Sequence, residues 1–163
     1  MFNCNNMNRR KFIQNTALAS ASIGMVNIIP SGVCAAGVSP GDSLNIALVG
    51  CNSMGYGDLE QHLSNPGVNC VALCDIDDTV LNKRAAEVKK TYNQSPKIYK
   101  DFRKMLEQKD IDAVIVGTPD HWHCLITVHA LQAGKHVYVE KPMANTIEEC
   151  NIMVKAANYY KKT

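Results

Sequence analysis

No strong charge imbalance marks this chain. Its 163 residues carry seventeen Lys and Arg against fifteen Asp and Glu, a formal net charge of +2. The basic residues are dispersed, so neither the size nor the pattern of the charge makes a nucleic-acid surface. None of the seven cysteines stands in a C-x-x-C pair, which removes the usual spacing signature of a zinc site or a thiol-redox motif. Cys4 and Cys34 fall in an N-terminal leader. Cys51, Cys70, Cys74, Cys124 and Cys150 remain, an odd number, and read as small core hydrophobes. A chain of this length, 46% hydrophobic, buries roughly two-thirds of its unfolded surface and needs no disulfide or metal staple. Internal repeats and low-complexity tracts are absent. So is a predominantly apolar run of about 20 residues, the length a membrane span requires.

The first segment reads as an address. Asn8-Arg9-Arg10-Lys11-Phe12-Ile13 sets paired arginines before a stretch without charge that runs to Gly41. Ala17, Leu18, Ala19, Ile23, Met25, Val26, Ile28 and Ile29 make it modestly apolar until Pro30 and Gly32 break any helix. Val33-Cys34-Ala35-Ala36 offers the small residues at which a signal peptidase cuts. Residues 1–36 are therefore expected to be a twin-arginine-type signal peptide, with Met7 as an alternative start, and residues 37–43 a linker. The mature chain would begin near Ala36 or Gly37 in the periplasm. A stable membrane anchor is disfavoured because Asn15, Thr16, Ser20, Ser22 and Asn27 dilute the apolar stretch.

Beyond the linker, short apolar runs alternate with helical periodicity. Strands are expected over residues 45–49, 68–74, 98–99, 113–116 and 136–139, and helices over 55–63, from Asp77 or Asp78 onward, 101–107, 122–132 and from Thr146. Thr146-x-x-Glu149 is a capping box, and Ile152, Met153 and Ala156 should form one face of the helix it opens. This alternation predicts an α/β fold, a Rossmann-type doubly wound parallel sheet over residues 44–163.

Gly50-Cys51-Asn52-Ser53-Met54-Gly55 lies where the first strand should turn into the first helix. A dinucleotide pyrophosphate needs a tight turn there, close backbone approach and free helix N–H groups. Gly50 and Gly55 supply two of the three glycines of that pattern. Asn52 holds the place of the missing one; it tolerates left-handed backbone angles, but its side chain crowds the phosphate approach. Asp75 ends the second strand about 20 residues beyond Gly55, where a carboxylate accepts from the adenosine-ribose hydroxyls and repels a 2′-phosphate. The expected cofactor is NAD, with NADP less favoured.

Two polar clusters follow later strands: Thr118-Pro119-Asp120-His121-Trp122-His123 and Glu140-Lys141-Pro142. Ligands of open α/β sheets sit at the carboxyl ends of the strands, where both clusters fall. T-P-D-H-W-H followed by G-K-H-V-Y-V-E-K-P resembles the glucose–fructose oxidoreductase, inositol dehydrogenase and rhizopine-catabolism (Gfo/Idh/MocA) family. The resemblance covers nearly everything from Leu44 to Thr163. It implies that Thr118, Pro119, His121 and His123 line the nicotinamide and its ribose, with Trp122 packing nearby and Glu140 at the ribose. Lys141 is the implied catalytic residue, holding a substrate hydroxyl or assisting its proton transfer, and the Lys141–Pro142 bond is implied to be cis. His121-x-His123 finds no third ligand at suitable spacing, so no metal is expected.

The family adds a C-terminal α+β domain that binds a sugar or polyol, and full-length members are often homo-oligomers. The present sequence is expected to stop before that domain. Three functions are weighed. The first is NAD(P)-dependent hydride transfer with a sugar, amino sugar or cyclitol. The second is an NAD-dependent glycosidase of the related hydrolase group, against which Lys141 after the glutamate argues. The third is a nucleotide-binding fragment without catalysis.

Overall fold

The computed structural model describes residues 43–163; the expected signal peptide and most of the linker lie outside the described residues. Mostly apolar runs of three to seven residues make the strands. These are β1 (Leu44–Val49), β2 (Val68–Cys74), β3 (Lys97–Tyr99), β4 (Ala113–Val116) and β5 (His136–Val139). All pair in parallel in the order β3-β2-β1-β4-β5. The order reverses direction at β1, so a crevice opens beyond the carboxyl ends of β1 and β4, the usual ligand position of a doubly wound sheet.

Among the described residues, four α-helices cross between the strands, α1 (Ser53–Leu63), α2 (Asp78–Tyr92), α3 (Phe102–Leu106) and α4 (His123–Gln132), and α5 (Ile147–Tyr160) follows the last strand. Alternation along β1 divides the core in two. Ile46 and Leu48 pack with Tyr56, Leu59 and Leu63 of α1 and with Leu81 and Val88 of α2. Ala47 and Val49 pack on the opposite face with Met105 and Leu106 of α3 and Ile126 and Ala130 of α4. Parallel strands buried on both faces need continuous apolar sequence, and A-V-I-V and V-N-C-V-A-L-C provide it.

The helix ends follow local chemistry. Of the two candidate caps for α2, Asp77 does the work, its carboxylate accepting from Thr79 N and Val80 N. Both halves of the Thr146–Glu149 capping box are present. Gly134, just past α4, takes φ +77, as a glycine beyond a helix end does. Two expectations need correction. Ile152 does not join the buried face of α5; it is 49% exposed, while Met153 and Ala156 are buried. The helix expected from Trp122 begins instead at His123, preceded by a 3₁₀ turn over Asp120–Trp122. Beside β5, Val137 N donates to Thr163 O at 2.8 Å, so the chain reaches the outer edge of the sheet. Among the described residues no helix is long and apolar enough to cross a membrane.

Candidate cofactor site

The turn after β1 is built from backbone contacts that exclude side chains. Gly50 holds φ +87, and a Cβ there would stand 2.7 Å from the Gly117 carbonyl group. A Cβ on Gly55 would collide with Gly50 O, and one on Gly117 with Gly55 Cα. Gly117 was not among the residues singled out from sequence, although it directly follows the A-V-I-V strand. Together the three glycines let the N-terminus of α1 settle against the end of β4.

Asp75 clamps this turn. Its Oδ2 accepts from Cys51 N at 2.7 Å and its Oδ1 from Asp77 N at 3.0 Å, and each oxygen retains a lone pair for a ligand hydroxyl. Cys51 offers only its backbone, for its side chain is fully buried and its thiol meets Cys74 O at 3.5 Å. Burial, reinforced by the Asp75 charge, drives that thiol far above its ordinary value. Asn52 is extended, with φ −96 and ψ 159, not left-handed; the left-handed residue of the turn is Ser53, at φ 42. The Asn52 amide oxygen accepts from Ser53 N at 2.9 Å, taking one of the free helix N–H groups that would otherwise face an anion. No acidic residue stands in the first turn of α1, and Met54 is exposed beside it.

The two loops meet through His123. This residue is 1% exposed, with Nε2 2.7 Å from Thr118 O and Nδ1 2.8 Å from Pro142 O. It ties the loop after β4 to the loop after β5 rather than presenting its ring at the surface. Pro119 opens the 3₁₀ turn, whose closing bond runs from Trp122 N to Pro119 O, and His121 and Trp122 project outward from it. The Lys141–Pro142 peptide bond is cis. Glu140 extends the β5 ladder through a bond from its N to Val116 O, and its Oε1 accepts from Lys141 N at 2.8 Å. Lys141 itself is exposed. Among the described residues no three His, Cys, Asp or Glu side chains gather to hold a metal ion.

A family profile described as an oxidoreductase family with an NAD-binding Rossmann fold matches residues 44–163, the whole of the sheet and its helices. The chain belongs to that family. NAD is accordingly the cofactor of the domain. The dehydrogenase WlbA from Chromobacterium violaceum, solved with NADH and UDP-GlcNAcA, is 36% identical at TM-score 0.62, covering 74% of this chain and 33% of its own. Myo-inositol 2-dehydrogenase from Lactobacillus plantarum is 26% identical at TM-score 0.62, covering 72% and 34%. A glycosyl hydrolase family 109 protein from Shewanella baltica is 30% identical over 96% of this chain; the match spans 38% of that relative's length.

The residues present fit NAD. The glycine cradle leaves room for a backbone-bound pyrophosphate. Of three buried side-chain oxygens without a hydrogen-bond partner among the described residues, Thr118 Oγ1 lies in the loop after β4 and Asp58 Oδ2 on α1, while Thr127 Oγ1 lies apart on α4. A buried polar atom without a partner calls for a ligand, a water or a proton. By contrast, a cleft of about 410 Å³ between α3 and α4 lies at the opposite, amino-terminal edge of the sheet. Its Lys135 is already bonded to Gln108 O and Lys109 O. The general dinucleotide-binding pattern has Gly at the place of Asn52, and the Asn52 amide already occupies a helix donor. Asn52→Gly is therefore expected to tighten NADH binding about threefold to tenfold, the equivalent of about 1 kcal/mol. Glycine is itself a tolerable helix cap, so little is lost in exchange. Quenching of Trp122, the only tryptophan, measures the change, and weaker binding by the variant would contradict it.

Asp58 is a second residue that sequence reasoning missed. Tyr138 and Glu140 lie on one face of β5, two residues apart. The His62 ring meets Tyr138 edge-on at a centroid distance of 5.2 Å, and its Nδ1 lies 2.7 Å from the backbone oxygen of Asp58, one turn earlier. Asp58 is thereby brought towards Glu140. Burial raises its carboxyl above the ordinary carboxylate value and the Glu140 charge adds to this, while His62 and Lys141 oppose it. A carboxyl raised in the fold binds its proton more tightly there than in the unfolded chain. Its contribution to stability is complete below the unfolded value, near 4, and is lost as pH climbs through the raised one. Asp58→Asn is expected to melt higher than the parent chain at pH 8, with the difference closing towards about pH 4. A melting difference that stays constant with pH would exclude this account.

Proposed function

We propose that this chain is the cofactor-binding part of an oxidoreductase that moves hydride between NAD and a carbinol carbon of a sugar, amino sugar or cyclitol. One observation carries the reading. The phosphate turn, clamped by Asp75, lies at the same sheet edge as the Thr118 loop and the Glu140–Lys141 loop, and His123 locks those two loops together. The similar WlbA dehydrogenase, solved with UDP-GlcNAcA, and the similar myo-inositol 2-dehydrogenase support the substrate class.

In this reading NAD, when bound, accepts or returns the hydride. The turn from Gly50 to Gly55 holds the pyrophosphate through the amides at the start of α1 that follow Ser53, since Gly50 N, Cys51 N and Ser53 N are already bonded within the protein, and Asp75 takes the adenosine-ribose hydroxyls. Thr118, Pro119, His121 and Trp122 line the nicotinamide end, His123 fixes that loop, and Glu140 takes the nicotinamide ribose. The exposed Lys141 holds the substrate hydroxyl and moves its proton, which must leave when hydride leaves the same carbon. Water exclusion and substrate orientation fall to a further domain. The leader around Arg9 and Arg10 supports export to the periplasm, and assembly as a homo-oligomer follows the family pattern.

A second reading, an NAD-dependent glycosidase, is favoured by the similarity to the glycosyl hydrolase family 109 protein. The full gene product, loaded with NAD and given UDP-GlcNAcA, myo-inositol and an aryl α-N-acetylgalactosaminide, separates them. Rising absorbance at the NADH band with a free sugar substrate supports the dehydrogenase. Aryl alcohol release without net NADH supports the glycosidase, and NADH binding with neither reaction leaves a non-catalytic nucleotide module.

A further inference from the structure

Cys124 and Cys150 take no part in the cofactor site, yet the fold sets them against each other. The helices α4 and α5 lie side by side. Thr127 and Leu131 of the first share one apolar crevice with Met153 and Ala157 of the second. Thr127 to Met153 and Leu131 to Ala157 are the same step in sequence, 26 residues, and so is Cys124 to Cys150. Two adjacent helices running the same way keep such an offset along their contact, so the two cysteines occupy facing positions one turn before the crevice. The side-chain contacts agree. Cys124 Sγ lies 3.7 Å from the carbonyl oxygen of Glu149, the residue joined to Cys150, and the charge of Cys150 acts on the Cys124 thiol. Both cysteines are half-buried, within reach of a small reagent, whereas Cys51, Cys70 and Cys74 are sealed in the core.

We propose that Cys124 and Cys150 are a disulfide-forming pair that joins the first turns of α4 and α5 when a small disulfide oxidant is present. The thiolate of one cysteine attacks a sulfur of oxidised glutathione and expels one glutathione thiolate. The thiolate of the other then attacks the protein sulfur of that mixed disulfide and expels the second. Two S–H bonds are lost and one protein S–S bond is gained; the protein gives up two electrons, and one glutathione disulfide becomes two thiols. The bond requires Cα atoms within about 4.4–6.8 Å, a separation that closely packed helices reach where small residues face each other.

The placement gives the bond a consequence. Cys124 follows His123, which bonds Pro142 O, and Cys150 N bonds Thr146 O at the start of α5. The loop carrying Lys141 is thus held by His123 in front, and oxidation would fasten its far end to α4. Closing a loop of this size restricts the unfolded chain, and a rise in Tm of roughly 5–10 °C is expected.

The test uses the whole chain incubated with oxidised glutathione. Free thiols are then alkylated, the bonds reduced, the new thiols labelled with a second reagent, and the peptides mapped by mass. Expected is a cross-linked peptide pair holding Cys124 and Cys150 in a portion digested without reduction, two mass units lighter than its parts, the second label on both cysteines in the reduced portion, and the higher Tm. Cys124→Ser and Cys150→Ala should each lose the cross-link, leave a glutathione adduct on the remaining partner, and bind NADH as the parent does. Cys124 and Cys150 both carrying the first label, or pairing only with Cys4 or Cys34, would overturn the proposal, as would a cross-linked chain that melts lower than the reduced one. Neither readout involves hydride transfer, so the proposal stands or falls separately from the enzymatic reading.

Discussion

Gly55→Ala is expected to weaken NADH binding at least about 100-fold, equivalent to about 2.7 kcal/mol, and to lower the melting temperature. The new methyl group would overlap Gly50 O and lie 3.0 Å from Gly117 Cα. Both neighbours are backbone, so no side-chain rotation relieves the clash. Overpacking of a close-packed interior costs about 1–3 kcal/mol, and relief here requires α1 to back away from β4. That motion takes the helix N–H groups off the pyrophosphate, so affinity suffers more than stability. Gly117→Ala presses the same contact from the other side, against Gly55 Cα, and should give the same phenotype. Because the two share one contact, the double variant should lose clearly less than the sum of the single losses. Gly57→Ala is the control. It lies on the same helix with nothing within 4 Å of its would-be Cβ, so binding should be retained and helix propensity improved by up to about 1 kcal/mol. Titration followed by Trp122 emission, with thermal melting alongside, checks all four variants. Parental affinity in Gly55→Ala would mean that the turn does not hold the pyrophosphate as described.

The sheet was readable wherever a strand is buried on both faces, because burial of that kind leaves no choice but continuous apolar sequence. A-V-I-V and V-N-C-V-A-L-C show it, and their observed limits, Ala113–Val116 and Val68–Cys74, match the expectation. The capping box at Thr146 was readable for a local reason, since all its bonds lie within four residues. What escaped depends on distant partners. Gly117 looks like any glycine after a strand, and only the approach of Gly55, far upstream, makes it obligatory. Asp58 sits in a polar stretch of α1 and looks solvated, yet the contact of His62 with Tyr138 leans that face onto β5. Ile152 has the spacing of a buried residue, but α5 packs on its neighbours chiefly through Met153 and Ala156. The T-P-D-H-W-H cluster reads as one continuous lining. The tight turn over Asp120–Trp122 divides it, sending His121 and Trp122 outward and His123 into the interior.

Asp75 tests whether charge or hydrogen bonding sets cofactor choice, because two substitutions separate its tasks. Asp75→Ala removes the acceptor of Cys51 N and of Asp77 N. A buried donor left without a partner costs about 1–3 kcal/mol, so the turn loosens, and the ribose hydroxyls lose their acceptor as well. NADH affinity should fall roughly tenfold to 100-fold, at about 1.4 kcal/mol per decade. Asp75→Asn keeps one oxygen to accept from Cys51 N while removing the charge. Its NADH affinity should fall by less, roughly threefold to tenfold, or up to about 1.4 kcal/mol. NADPH binding should improve in the same variant, since the 2′-phosphate no longer meets a carboxylate. The ratio of the two affinities is the decisive quantity, for a variant that merely destabilises the turn weakens both cofactors alike. Competitive titration of NADH against NADPH on the parent chain and on both variants measures it. An unchanged ratio in Asp75→Asn would show that Asp75 supports the turn without reading the ribose.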